Sequence, residues 1–185
     1  MVSGTLINDR INIVPVKFSN NSFLKKIINE LNRRFFSDIS AISLDCDVGD
    51  AYSKDRAQFF SSQIISSFAL LTTGLPGKIL LLTEVDLFVP VLTFVFGEAQ
   101  LNGKHSIVSV CRLHEEFYSG ISDDELLFQR TMKEVLHELG HCYGLIHCID
   151  WDCVMHSSQG IEEVDIKGSY FCKNCASSVI GLKKN

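Results

Sequence analysis

Between residues 137 and 148 the chain reads HELGHCYGLIHC. Imidazole and carboxylate groups at this spacing suit metal-assisted hydrolysis. On a helix, His137 and His141 lie one turn apart on one face, so their ring nitrogens can converge on one Zn²⁺ at ~2.0–2.1 Å. Glu138 is displaced around the helix. It can reach a metal-bound water without ligating the ion and take its proton during attack on a carbonyl. Gly144 lets the chain turn sharply and bring back His147 as a third ligand. Three histidines leave the fourth position to water, as in a catalytic zinc site. A bare five-residue match occurs by chance on ordinary helices. The extension through Gly144 to His147 is what argues against three merely solvated or core histidines.

Thiols follow at once. Cys148 and Cys153 form one close pair, and Cys172 and Cys175 form a C-x-x-C pair. Two short pairs joined by a loop of roughly 18 residues are the usual recipe for a tetrahedral zinc site. A redox role for the second pair is the weaker reading, because no thioredoxin-like context precedes it. His147 runs directly into Cys148. Neighbouring side chains can point in nearly opposite directions, so His147 would face a catalytic ion and Cys148 a structural one. A fourth thiolate on the first ion would fill the position its water needs. Cys46, Cys111 and Cys142 are expected to be buried free thiols.

These groups need a frame. Residues 122–144 carry the longest helical pattern, with Phe128, Met132, Val135, Leu136, Leu139 and Tyr143 on one apolar stripe. His137 and His141 fall on the other side with Arg130 and Glu134. Ser122 and Glu125 are expected to form a capping box, and Gly144 to end the helix in the left-handed region. Upstream, 10–16, 41–46 and 78–82 read as strands, and 22–36 (with Phe35 on its apolar face) and 57–71 as helices. Residues 92–100 and 105–113 read as a hairpin turning at Asn102-Gly103. The sum is an α+β chain: a twisted mixed sheet with one antiparallel strand, a backing helix and a motif-bearing helix. After Gly144 regular signals thin out until a short helix over 173–182.

The 185 residues suit one domain, expected to divide into 1–144, with the sheet and helix, and 145–185, with the cysteine site. A net charge of −5 gives no support for a nucleic-acid surface. The most apolar stretch, 79–97, is interrupted by Glu84, Asp86 and Pro90, so no membrane span is expected. The N-terminus lacks the pattern of a secretory signal. Seven cysteines without such a signal argue against a disulfide framework and for metal.

With both constellations present, the chain resembles the archaemetzincins, a family of metzincin zinc metalloproteases. The resemblance rests on HELGHCYGLIHCIDWDCVM (137–155) with CKNC (172–175), and more softly on DLFVPVLTFVFGEA (86–99) and RTMKE (130–134). It covers roughly the C-terminal 100 residues, and no metal-site position departs from the pattern. It implies a metzincin fold and a catalytic zinc on His137, His141 and His147 with Glu138 as general base. It further implies a second, structural zinc on Cys148, Cys153, Cys172 and Cys175, and Met155 in a tight turn beneath the metal. The strand within 92–100 is the candidate cleft rim. A peptide or protein is the expected substrate, and a cytoplasmic monomer without a latency segment the expected form. The alternative is a zinc-stabilised peptide-binding protein with little or no turnover, which would have no need of Glu138. The sequence identifies no group that captures a substrate amine, though Glu98 and Glu134 stand where one could act.

Overall fold

The computed structural model describes residues 10–34 and 38–179. Its elements are β1 (Ile11–Val16), α1 (Asn21–Arg34), β2 (Ile39–Ala41), β3 (Tyr52–Ser53), β4 (Gln58–Phe60), α2 (Ser61–Leu71), β5 (Lys78–Thr83) and β6 (Leu87–Phe88). There follow β7 (Gly97–Ala99), β8 (His105–Ser109), α3 (Glu116–Ser119), α4 (Asp124–Cys142), α5 (Ile161–Ile166) and α6 (Lys173–Ser178). The main sheet has the order β2-β1-β5-β8-β7. Its first four strands are mutually parallel, and β7 runs antiparallel to β8 at the edge. This is the mixed sheet with one reversed strand that the patterning predicts.

The apolar run of β5 is central because both of its faces are covered. Leu80 and Leu82 join Ile11, Ile13 and Val108 in a core with Ile27 and Leu31 of α1 and Val135 and Leu139 of α4. Ile79 and Leu81 point the other way, packing with Val14, Ile107 and the α2 residues Ile64 and Phe68. The helix α4 therefore lies on the same sheet face as α1, and α2 backs the opposite face.

Several boundaries differ from the sequence expectation. The second strand is Ile39–Ala41 rather than 41–46, because Ile39 aligns with Ile11 and fills the core. Residues 58–60 form a strand, not the start of a helix: Phe59 pairs with both Tyr52 and Leu87 in a separate three-stranded sheet. The rim strand shrinks to β7, since the chain after Pro90 bulges out with Val91 88% exposed. The strand β8 stops at Ser109, whose hydroxyl donates to Val85 O at 2.6 Å and accepts from Cys111 N at 3.1 Å, so the ladder ends in a 3₁₀ turn. The cap of α4 is Asp123, which accepts from Leu126 N at 2.9 Å, and not Ser122. The tail contains the unexpected helix α5. Residues 35–36 of the first expected helix and 180–182 of the last lie outside the described residues. Of the three spare thiols only Cys142 is buried; Cys46 and Cys111 are half-buried. Among the described residues no helix is long and apolar enough to cross a membrane.

Arg130 fastens the tail to α4. Its guanidinium meets the Asp165 carboxylate twice at 2.7 Å, Glu115 at 2.9 Å and Leu113 O at 3.1 Å. The Arg130 side chain is 4% exposed, whereas Glu115 and Asp165 keep contact with water at 26% and 37%. Arg130→Leu should therefore lower unfolding stability by about 2–3 kcal/mol, below the cost of orphaning a fully buried charge. Urea titration measures this. A loss under ~0.5 kcal/mol would mean the cluster behaves as a screened surface pair.

Candidate functional site

The helix α4 ends in a reversal that brings its last histidine turn against the following loop. Gly144 has φ +89°, as the sequence predicts. Leu145 N donates to Gly140 O at 3.0 Å and Gly144 N to His141 O at 2.9 Å, a Schellman arrangement that satisfies the carbonyls at the helix end. Lys78 supports the same end, with Nζ 2.9 Å from Cys142 O.

The reversal carries the chain back so that the rings of His137, His141 and His147 face one another, with centroids 4.7–5.3 Å apart. One nitrogen from each lies within 4.8 Å of the other two. Two of the rings are fixed by backbone. His137 Nδ1 donates to Val154 O at 2.9 Å and His141 Nδ1 to Leu145 O at 2.7 Å. A carbonyl only accepts, so Nδ1 carries the proton and the Nε2 lone pair turns inward. The two Nε2 atoms stand 3.1 Å apart. Two inward lone pairs at this distance repel one another unless a cation lies between them, so these residues fit a metal ion. Burial lowers the pKa of all three rings, and the Lys167 charge adds to the effect at each. That favours the neutral, ligating form.

Glu138 lies beside them, 5% exposed. Burial, and then the neighbouring Glu134 carboxylate, push its pKa well above the usual carboxylate range. Space for it comes from a residue the motif does not contain. A Cβ on Gly97 of β7 would sit 2.7 Å from both Cγ and Oε1 of Glu138 and 2.8 Å from Ile107 O. The rim strand is bare where the carboxylate approaches. Gly140 plays a similar part on the other side of α4: a methyl group there would collide with the sulfur of Met155, which is fully buried.

The four cysteines Cys148, Cys153, Cys172 and Cys175 also converge, their sulfurs within 4.8 Å of one another. Cys148 and Cys172 are 3.9 Å apart, close to the ~3.8 Å edge of a tetrahedron with ~2.3 Å zinc–sulfur bonds. His147 and Cys148 thus enter different clusters, as their adjacency suggests. The loop between them and the second cysteine pair is stitched by Cys148 N to Met155 O at 2.9 Å and Val154 N to Tyr170 O at 2.8 Å.

A cleft of about 740 Å³ opens over the histidines between β7 and the segment 157–159. Of the two carboxylates considered for amine capture, Glu98 is engaged elsewhere: it accepts from the hydroxyls of Ser61 and Ser62 at the start of α2. Glu134 pairs with Lys167 at 2.7 Å. Gly97 and Lys167 escape sequence reasoning. Neither belongs to a spaced pattern, and each acquires its place through contacts distant in the chain.

The model of peptidase family M54 matches residues 51–180. The chain belongs to peptidase family M54. It is 38% identical over 166 residues to an archaemetzincin of Methanocaldococcus jannaschii, covering 90% of both chains. Among solved structures it is similar to the archaemetzincin of Archaeoglobus fulgidus solved with malonate, at TM-score 0.78 and 32% identity over 92% of this chain and 99% of that one. It is also similar to a zinc-dependent peptidase of Methanocorpusculum labreanum, at TM-score 0.82 and 28% identity over 91% and 98%. This M54 chain is a zinc metallopeptidase with the archaemetzincin fold.

The close approach at Gly97 makes a separable prediction. Gly97→Ala should lower kcat at least tenfold while zinc content stays unchanged, because the added methyl displaces the Glu138 carboxylate and not the histidine rings. Turnover and atomic absorption on the same sample check this. Wild-type kcat would show that Glu138 need not sit where the bare strand lets it.

Proposed function

We propose that this peptidase hydrolyses peptide bonds using a zinc ion held by His137, His141 and His147, with Glu138 as general base. One observation carries the proposal. Two ring nitrogens are turned inward by backbone carbonyls, beside the buried carboxylate of Glu138. Zinc, when bound there, supplies Lewis-acid polarisation of a carbonyl and lowers the pKa of water to ~7. The chain's own residues do the remainder. The Glu138 carboxylate accepts the proton that water releases as it attacks the peptide carbon. Its burial favours taking that proton, and the same oxygen delivers it to the departing amine nitrogen. The edge strand β7 offers its outer side to an extended peptide as an added strand.

Cys148, Cys153, Cys172 and Cys175 would hold a second, structural zinc, and residues 145–185 form the subdomain it stabilises below 1–144. Met155 supports the histidines from beneath, seated against Gly140. We take the protein to be a cytoplasmic enzyme acting on peptides; the acidic balance gives no support for a nucleic-acid partner. The bare Gly97 beside Glu138 favours turnover over a peptide-binding protein without catalysis, which would need no room for a base.

Glu138→Gln should retain the metal content of the wild type and lose at least ~10²-fold in kcat. Turnover within a few-fold of wild type would sink the general-base role. In a Cys172→Ser/Cys175→Ser variant, zinc per chain should fall from two to one. The remaining ion should also dissociate faster in the presence of a chelator, because His147 is anchored through Cys148. Unchanged stoichiometry would show that the thiols do not form a separate site.

A further inference from the structure

Two large aliphatic side chains stand open in the cleft at the end where α4 stops. Leu101, at the tip of the β7–β8 hairpin, is 58% exposed, and Ile146, in the loop after the reversal, is 70% exposed. Both line the cleft over the histidines. A single apolar residue on a surface is ordinary, whereas two that line one concave site point to an apolar ligand. Their neighbours in the chain are differently placed. Leu145 turns into the core, and Gln100 folds back onto the backbone amide and ring of His105.

The two walls are fastened to each other. Asn102, in the left-handed region at φ +51°, turns the hairpin so that its amide donates to His141 O at 2.8 Å. Lys78 Nζ joins the same two segments, 2.8 Å from Gly103 O and 2.9 Å from Cys142 O. Leu101 directly precedes this joint on one side, and Ile146 directly precedes His147 on the other. A pair held in place before binding loses little further freedom when a ligand enters.

Charge separates this end of the cleft from the remainder. The charged side chains lining the cleft are Glu98, Glu134, Glu138 and Lys167. Glu134 and Lys167 pair with each other ahead of His137, Glu98 is turned to Ser61 and Ser62, and Glu138 lies against Gly97. Beyond His141 the lining residues are Ala99, Leu101 and Ile146. A charged substrate side chain seated between them would lose water and find no counter-charge on either wall. An aliphatic one would cover the exposed surface of both.

We propose that Leu101 and Ile146 form an apolar subsite that receives a leucine-like side chain of the peptide beside the bond being cut. The inference rests on the peptidase reading above, since it names the substrates of that site. Binding separates the two. In the zinc-loaded Glu138→Gln protein, dye-labelled octapeptides of Ser and Gly carrying one central Leu, Ala, Lys or Asp are titrated by fluorescence anisotropy, with zinc content matched across variants. The Leu peptide should bind at least about tenfold more tightly than the Lys and Asp peptides. Adding Leu101→Ser/Ile146→Ser should remove that preference, whereas adding Leu92→Ser, beyond the other end of β7, should leave it. Adding Ile146→Asp instead should turn the order toward Lys. Equal binding of the four peptides, a preference for Lys or Asp in the parent, a Leu preference that survives the Ser pair, or one lost with Leu92→Ser alone would overturn the subsite. So would sedimentation showing self-association that the Ser pair abolishes while peptide binding stays unchanged, which would make a second copy of the chain the occupant. Incubating the chain with native Glu138 and the same peptides tests the other reading. Selective binding of the Leu peptide without cleavage would overturn turnover and leave the subsite standing; cleavage at equal rates for all four would do the reverse.

Discussion

Two backbone carbonyls orient the histidine site. Val154 O and Leu145 O each take a ring Nδ1 hydrogen, and by doing so they set where the opposite nitrogens point. A histidine on an exposed helix samples several rotamers, and holding two of them costs side-chain entropy. Here the cost is met before any ligand arrives. The requirement then passes to the loop, because both carbonyls lie after α4 in the chain. A loop without a helix or strand of its own must hold them still. The Schellman reversal fixes Leu145 at the near end, and Val154 is held by its hydrogen bond to Tyr170 at the far end. The cysteine cluster sits at the same far end, between the strand-like contact of Cys153 with Tyr170 and the start of α6.

The sheet and the tail hold α4 in different ways. On the sheet side the contact is apolar and continuous, with Val135 and Leu139 against the β5 and β8 side chains. On the tail side Met155, Ile161 and Val164 join the same apolar core, and charged groups are added to it: Arg130 with Asp165, Lys133 with the carbonyls of Val164 and Asp165, Lys167 with Glu134. Apolar packing tolerates small slides, whereas paired charges of fixed geometry do not. The helix is thus seated by the core and registered by the charges, and the cleft lies along the registered side.

What the sequence made legible follows the range of the interactions. Patterns within about a dozen residues were readable: the 3.6-residue stripe of α4, the Asn102-Gly103 hairpin, the left-handed Gly144, and the two ligand clusters with His147 and Cys148 parted between them. Contacts between distant segments were not. Residues 57–60 look helical by composition, yet Phe59 finds Leu87 and Tyr52 and becomes a strand. Ile39 outcompetes Leu44 because Ile11 is opposite it. Gly97 reads as any loop glycine until β7 lies against Glu138. Lys167 reads as a surface lysine until α5 folds it under the cleft. The candidate metal ligands announce themselves because chelation by a short segment demands fixed spacing. The groups that shape the cleft carry no such demand.

The notch at Gly140 has a consequence of a different kind. A glycine inside a helix gives up about 0.5–1 kcal/mol relative to alanine, and α4 accepts this within its last, histidine-bearing turn. The Met155 sulfur fills the space, with Phe171 at its flank. The absent side chain and the large soft one act as a gauge block: together they set the gap between the helix and the strand of loop that carries Val154. The identities of residues 140 and 155 are therefore not two choices but one. Drift at either position would change the spacing of the whole floor, so the two should change together or not at all.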